Sequence, residues 1–342
     1  VSVTATCRRN LRRRTMTVGL CMTTLALALF VVALMLGQAG LTPTEVLEAL
    51  TGRGDRITNF VVLQNRLPRA LAAVLVGGCL GASGAVFQAV LRNPLASPDI
   101  IGVTSASGTA GVAGVLLLGI SGLPLTLLVA VGGVVGAAIV AGLTWNRGLV
   151  GMRLVLVGIG VAAVATALTS YLITTVDSRD AAVAYTWLVG SLNGAGWPVV
   201  TVTAVVGILA LVALALQARG LRALELGDAT AAGLGFRVER TRVLVLLTAV
   251  VLAAVAVGAA GPVGFVALMA PQIARRLVGH ASASPAAATA VGAALVIGAD
   301  LIAQYAVSGV NLPVGVVTGA LGAPYLAWLL ARNDTNRPGG RS

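Results

Sequence analysis

Of 342 residues, 58% are hydrophobic and only 10% are charged, whereas a soluble domain carries roughly 25% charged residues because its surface must face water. That excludes a water-soluble globule of this size: lipid has to cover much of the surface. The net charge of +12 comes from 23 basic residues, all arginine, against 11 acidic ones. They sit between apolar runs and form no patch with interleaved aromatics, so they read as topology signals at a membrane surface and not as a nucleic-acid face.

A span needs about 20 mainly apolar residues. At the N-terminus Arg12, Arg13 and Arg14 precede an apolar run from Met16 to Gly37, longer than the 7–15 residues typical of a secretory h-region. We read it as a first spanning helix behind a basic cytoplasmic segment, residues 1–15. The outer stretch Gln38–Leu67 holds a possible short helix at Thr44–Leu50. Further spans fall at Pro68–Leu91, Ile100–Ile120, Pro124–Thr144 and Arg153–Thr175. Between Val176 and Ala195 we expect a short outer helix, with Tyr185, Trp187 and Trp197 as an interfacial aromatic belt. Trp197–Gln217 is the sixth span.

Ala218–Arg240 is the longest inner loop. Its helical spacing of apolar residues is broken by Gly220, Gly227, Gly233 and Gly235, which predicts two short surface helices. From Val243 to Ala274 no charge occurs for 32 residues. As one helix that would be about 48 Å long, against a hydrocarbon core of about 30 Å. Gly261-Pro262 supplies the break, giving spans at Thr241–Ala260 and Val263–Gly279. The second is short and contains Pro271, so a re-entrant or kinked segment competes with a full span. Pro285–Ala306 and Pro313–Ala331 complete ten spans, an all-α membrane domain over residues 16–331 with a cytoplasmic tail at 332–342. With both termini inside, eighteen arginines lie on the inner side and five on the outer, the bias that the positive-inside rule expects.

Sites for chemistry are few. Cys7, Cys21 and Cys79 have no CxxC spacing, and His280 is the single histidine, so no disulfide framework or multi-histidine metal site is expected. There is no Walker A motif, no Ser-His-Asp set and no pair of carboxylates within one span. Asp300 is the acidic residue well inside a span, with Gln304 one turn later. It is a functional candidate by default, and an interhelix hydrogen bond is an equal reading. One carboxylate is thin support for a proton relay, so a gradient-driven transporter is the alternative.

Four ordered blocks carry a resemblance: RLPRALAAVLVGGCLGASGAVFQAVLRNPLASPDIIGV from Arg66, LELGDATAAGLG from Leu224, GPVGFVALMAPQIARRLVGH from Gly261 and LPVGVVTGALGAPYLAWLL from Leu312. Together the chain resembles the FecCD/BtuC family, permeases of type II ATP-binding-cassette (ABC) importers for ferric siderophores, haem and cobalamin. The resemblance implies a BtuC-like fold of ten helices in the cell membrane and a second permease, identical or paralogous. It also implies two cytoplasmic ATPases that use the ATP, an extracytoplasmic binding protein, and no cofactor held by this chain. It implies that Arg66 and Arg69 pair with carboxylates of the binding protein. Leu224, Gly227, Asp228, Ala232, Gly233, Leu234 and Gly235 would form the contact with an ATPase. Gly151 and Met152 would stand at a cytoplasmic gate that usually carries small hydroxyl residues. Gln304 stands at a further basic docking position, Gln272 where many relatives have His, and Asn311 where many have Glu. Asn93-Pro94 reads as a structural stop. A ferric siderophore is the expected cargo, with cobalamin or haem as alternatives.

Overall fold

A computed structural model describes residues 3–37, 40–145, 152–279, 284–307 and 311–334. In chain order the helices are α1 (Val3–Met35), α2 (Pro43–Leu50), α3 (Arg56–Asn59), a π-helical stretch Phe60–Arg66, and α4 (Leu67–Val90). There follow α5 (Val103–Leu118), α6 (Gly122–Thr144), α7 (Met152–Thr174), α8 (Ser178–Leu188), α9 (Trp197–Leu216), α10 (Ala218–Glu225) and α11 (Asp228–Gly233). The chain closes with α12 (Val238–Ala260), α13 (Val266–Val278), α14 (Pro285–Tyr305) and α15 (Val314–Asp334). No strand occurs among the described residues.

Each expected span has its helix, and the short helices expected at 44–50, between 176 and 195, and in the 218–240 loop are α2, α8, α10 and α11. Among the described residues seven helices are long and apolar enough to cross a bilayer; α5 and the apolar part of α15, Val314–Leu329, are shorter. α13 has 13 residues, about 20 Å, and Pro271 lies inside it without ending it. The break before it is sharp: Gly261 and Phe265 both take positive φ, +70° and +66°. Two boundaries differ from expectation. α1 begins at Val3, so the basic N-terminal segment is the start of the first helix and not a separate arm. The helix of the second span is continuous with α3 and the π-helical stretch, one apolar run from Arg56 to Val90. The residues before Pro68, read as outer loop, lengthen it.

α4 is the centre of the bundle. Its most apolar stretch is 83% buried, whereas that of α1 is 11% buried. α4 packs on α14, α12, α13 and α9. Small residues permit this: a Cβ on Gly77 would stand 2.2 Å from the Gly292 carbonyl oxygen, and one on Gly81 2.2 Å from that of Ala288. The backbones of α4 and α14 therefore touch. Between membrane helices, where no hydrophobic drive remains, such contact dispersion is the attraction available.

Candidate functional site

Polar side chains gather at the two ends of α4. Arg69 lies in its first turn and Arg92 just beyond its last, about 35 Å apart at 1.5 Å per residue.

At the first end, Arg69 grips Asp300 of α14: Nε donates to Oδ2 at 3.0 Å and Nη2 to Oδ1 at 2.9 Å. Its Nη1 donates to Asn193 Oδ1 at 2.6 Å. Gln304, one turn along α14, donates its amide to Asp300 Oδ2 at 2.7 Å. The side chains are 17% and 2% exposed, a bidentate pair in a largely desolvated place. Arg66 ends the π-helical stretch. Its Nη1 donates to the carbonyls of Leu34 at 2.8 Å and Met35 at 3.1 Å, meeting acceptors that the end of α1 leaves open. Its Nη2 is buried with no hydrogen-bond partner and fits only because residue 37 is glycine, where a Cβ would come within 2.1 Å. Arg66, Arg69, Asp300 and Gln304 line a cavity of about 220 Å³ that Gln64, Asn65 and Gly194 also border. So the two expected docking arginines and the two polar residues of α14 form one cluster, in which Arg69 is committed within the chain. Asp300 thus makes an interhelix ion pair between α14 and α4.

At the other end, Asp228 opens α11 and binds two arginines at once. Oδ1 accepts from Arg92 Nη2 at 2.7 Å and Oδ2 from Arg242 Nη2 at 2.8 Å. Arg92 Nη2 also donates to the Leu224 carbonyl at 3.0 Å, and Arg242 Nη1 to Glu239 at 3.0 Å. Arg242 is nearly buried, 4% exposed, whereas Arg92 and Asp228 are 49% and 46% exposed. Hydrogen bonding from Arg242, helped by the charges of both arginines, outweighs the opposing cost of burial and holds the Asp228 carboxyl below the usual carboxylate range. Backbone geometry adapts on both sides: Arg92 has φ +48° and Gly227 φ +112°, a conformation that favours glycine. The expected ATPase-contact residues thus divide. Leu224 is buried against the body, Asp228 ties the loop to α4 and α12, and Ala232, Gly233, Leu234 and Gly235 are exposed. Leu226 and Leu234 stand out at 66% and 59% exposed.

Of the expected gate pair, Gly151 lies outside the described residues and Met152 opens α7. Gln272 donates to the Pro94 carbonyl, and Asn93 Oδ1 accepts from the Leu95 amide at 2.9 Å, so the turn after α4 is held from α13 and by its own side chain. Sequence reasoning counted Arg92 and Arg242 only as topology charges and passed over Asn193. Their one signal was Asp228, one of three acids in a loop rich in arginine. Among the described residues no group of three or more His, Cys, Asp or Glu is placed to hold a metal ion.

Known proteins place the chain as a whole. The profile of the FecCD transport family matches residues 25–332. The chain is 42% identical over 301 residues to the ferric enterobactin transport system permease protein FepG of Escherichia coli (strain K12), covering 88% of this chain and 91% of that one. It is 41% identical over 315 residues to the achromobactin transport system permease protein CbrC of Dickeya dadantii (strain 3937), covering 90% and 89%. Among solved structures it resembles an inward-facing metal-chelate type ABC transporter, with TM-score 0.81 and 29% identity over 92% of this chain and 99% of that one. The chain belongs to the FecCD transport family and is a transport permease subunit of an ABC importer, not an enzyme.

Proposed function

We propose that the chain, paired with a second permease, forms the membrane pathway of an importer for a ferric siderophore. ATP is used by two partner ATPases, and a binding protein delivers the chelate to the outer rim. The relatives named for enterobactin, achromobactin and iron(3+)-hydroxamate support that cargo class. Both termini lie on the ATPase side, in keeping with the arginine bias.

The observation that carries the mechanism is the Asp228 clasp. An ATPase pressing on the exposed Leu226 and Ala232–Gly235 surface moves α11, and the only charged handles between α11 and the bundle among the described residues are Arg92 and Arg242. Motion passes to α4 and α12, the best-buried spans of the bundle, as two-state coupling requires. At the outer rim, Arg69 is paired with Asp300 while Arg66 has no carboxylate partner among the described residues, so we assign docking of a binding-protein carboxylate to Arg66 first. Arg69 takes part only by exchanging Asp300. Asp300, held by Arg69 and Gln304, is not poised for a proton relay.

The test is uptake of radiolabelled ferric chelates by a strain lacking the gene, with and without the chain restored. Restored, ATP-dependent uptake of a siderophore is the expected result. Uptake that ignores ATP and follows a proton or sodium gradient would overturn the reading. Arg66→Glu should weaken binding-protein affinity more than Arg69→Gln does; equal, unchanged affinities would remove the docking assignment.

A further inference from the structure

At the arginine-rich end of the bundle, α13 finishes in Arg275 and Arg276 and turns at Gly279, which has φ +70°. Arg14 of α1 lies beside that turn: a Cβ on Gly279 would be 3.4 Å from its Nη1. Arg276, three residues before Gly279 and so on the same helix face, holds its guanidinium 4.4 Å from the Trp328 ring centroid and 5.9 Å from that of Tyr325. Both arginines are exposed. Among the described residues neither has a carboxylate partner. Arg275 donates to the neutral side-chain amide oxygen of Gln88, at 3.1 Å. The Tyr325 hydroxyl is buried and without a hydrogen-bond partner.

Among the described residues the charge does not balance. The C-terminus of α13 offers roughly half a negative charge, against three guanidinium groups within about one turn. The site stands at the ends of spanning helices, with a tryptophan and a tyrosine at the level where such rings meet lipid headgroups. Guanidinium forks bind phosphate oxygens bidentately, and basic pockets between spanning helices hold anionic headgroups. We propose that Arg14, Arg276 and Tyr325 form a headgroup site for an anionic phospholipid of the leaflet at this end. The phosphodiester sits between the two arginines, and its acyl chains lie along the exposed side of α1, whose most apolar stretch is only 11% buried. A zwitterionic lipid suits the site poorly, because its ammonium group meets a cationic wall.

The experiment follows thermal unfolding of the purified full chain in non-ionic detergent as phosphatidylglycerol, phosphatidylcholine or inorganic phosphate is added. Phosphatidylglycerol should raise Tm, with little response to the other two. In Arg14→Gln/Arg276→Gln the apparent affinity for phosphatidylglycerol should fall roughly tenfold, the weight of about one charge-assisted hydrogen bond. Arg9→Gln, an exposed charge further out on α1, should leave it unchanged. Should the double variant fold poorly, Arg276→Lys with lipid retention read by native mass spectrometry serves instead: it keeps the charge, loses the fork and should retain less lipid. An unaltered response in the double variant, or in Arg276→Lys, would overturn the site. So would a Tm rise matched by inorganic phosphate, or an equal loss in Arg9→Gln, which would mean diffuse charge.

Discussion

The two ends of α4 carry ion clusters built from the same side chains, arginine and aspartate, and the surroundings of each set what it can do. Asp300 is 2% exposed and Arg69 17%, whereas Asp228 is 46% exposed and Arg92 49%, with Arg242 alone of that trio buried at 4%. The buried pair joins two helices whose backbones touch along their length; the exposed one joins a six-residue helix to the bundle. A buried pair is costly to break and therefore static. An exposed pair contributes little to stability and can be rearranged by a partner. The Asp300 cluster is built to hold the fold, and under the proposed function the Asp228 cluster is the one free to transmit.

Removing one partner of each cluster separates them. Asp300→Ala strands a desolvated Arg69 and should cost about 3–5 kcal/mol, seen as a large fall in Tm and in recovered protein. The double variant Asp300→Leu/Arg69→Met should recover most of that. A single variant as stable as the parent would mean that water reaches the pair. Gly77→Ala sharpens the same end from the packing side: its Cβ would meet the Gly292 carbonyl, an overpacking of about 1–3 kcal/mol visible in thermal unfolding. Arg66→Ala, which frees the Leu34 and Met35 carbonyls, should cost about 1–2 kcal/mol.

The pH response should be smallest. The folded Asp228 carboxyl is depressed by Arg242 and Arg92, so its contribution is fully present above the unfolded value near ~3.9 and is lost only as pH falls through the lower folded value. Accessibility of a cysteine placed at Ala232 should therefore be flat from about pH 8 to 5. A step inside that window would show that the clasp does not hold the charge assigned to it.

The spans were legible because apolar runs of bilayer length are a local signal, and Gly261-Pro262 marked where one run became two. α1 reaching back to Val3 was not legible, since its arginines lower the hydropathy of residues that are helical all the same. The helical run before Pro68 was hidden by Asp55, Arg56 and Arg66, charges that sit at a helix start and rim. For the sites, residue types and positions could be read but partners could not. Arg69 and Asp300 are 231 residues apart in the chain, and nothing local says that an outward arginine is already taken. Asp228 was found within a loop block, while its partners Arg92 and Arg242, one before and one after it, looked like any other inner arginine.

The most direct test is Asp228→Asn in proteoliposomes with the ATPases and binding protein, reading ATP-driven chelate uptake beside Tm. Uptake should drop roughly tenfold, within the usual range of a coupling free energy, while Tm moves by no more than about 2–4 °C, the shift that ~1 kcal/mol gives in a chain of this size or smaller. Uptake equal to the parent's, or a loss that merely tracks unfolded protein, would contradict the division between a holding end and a transmitting end.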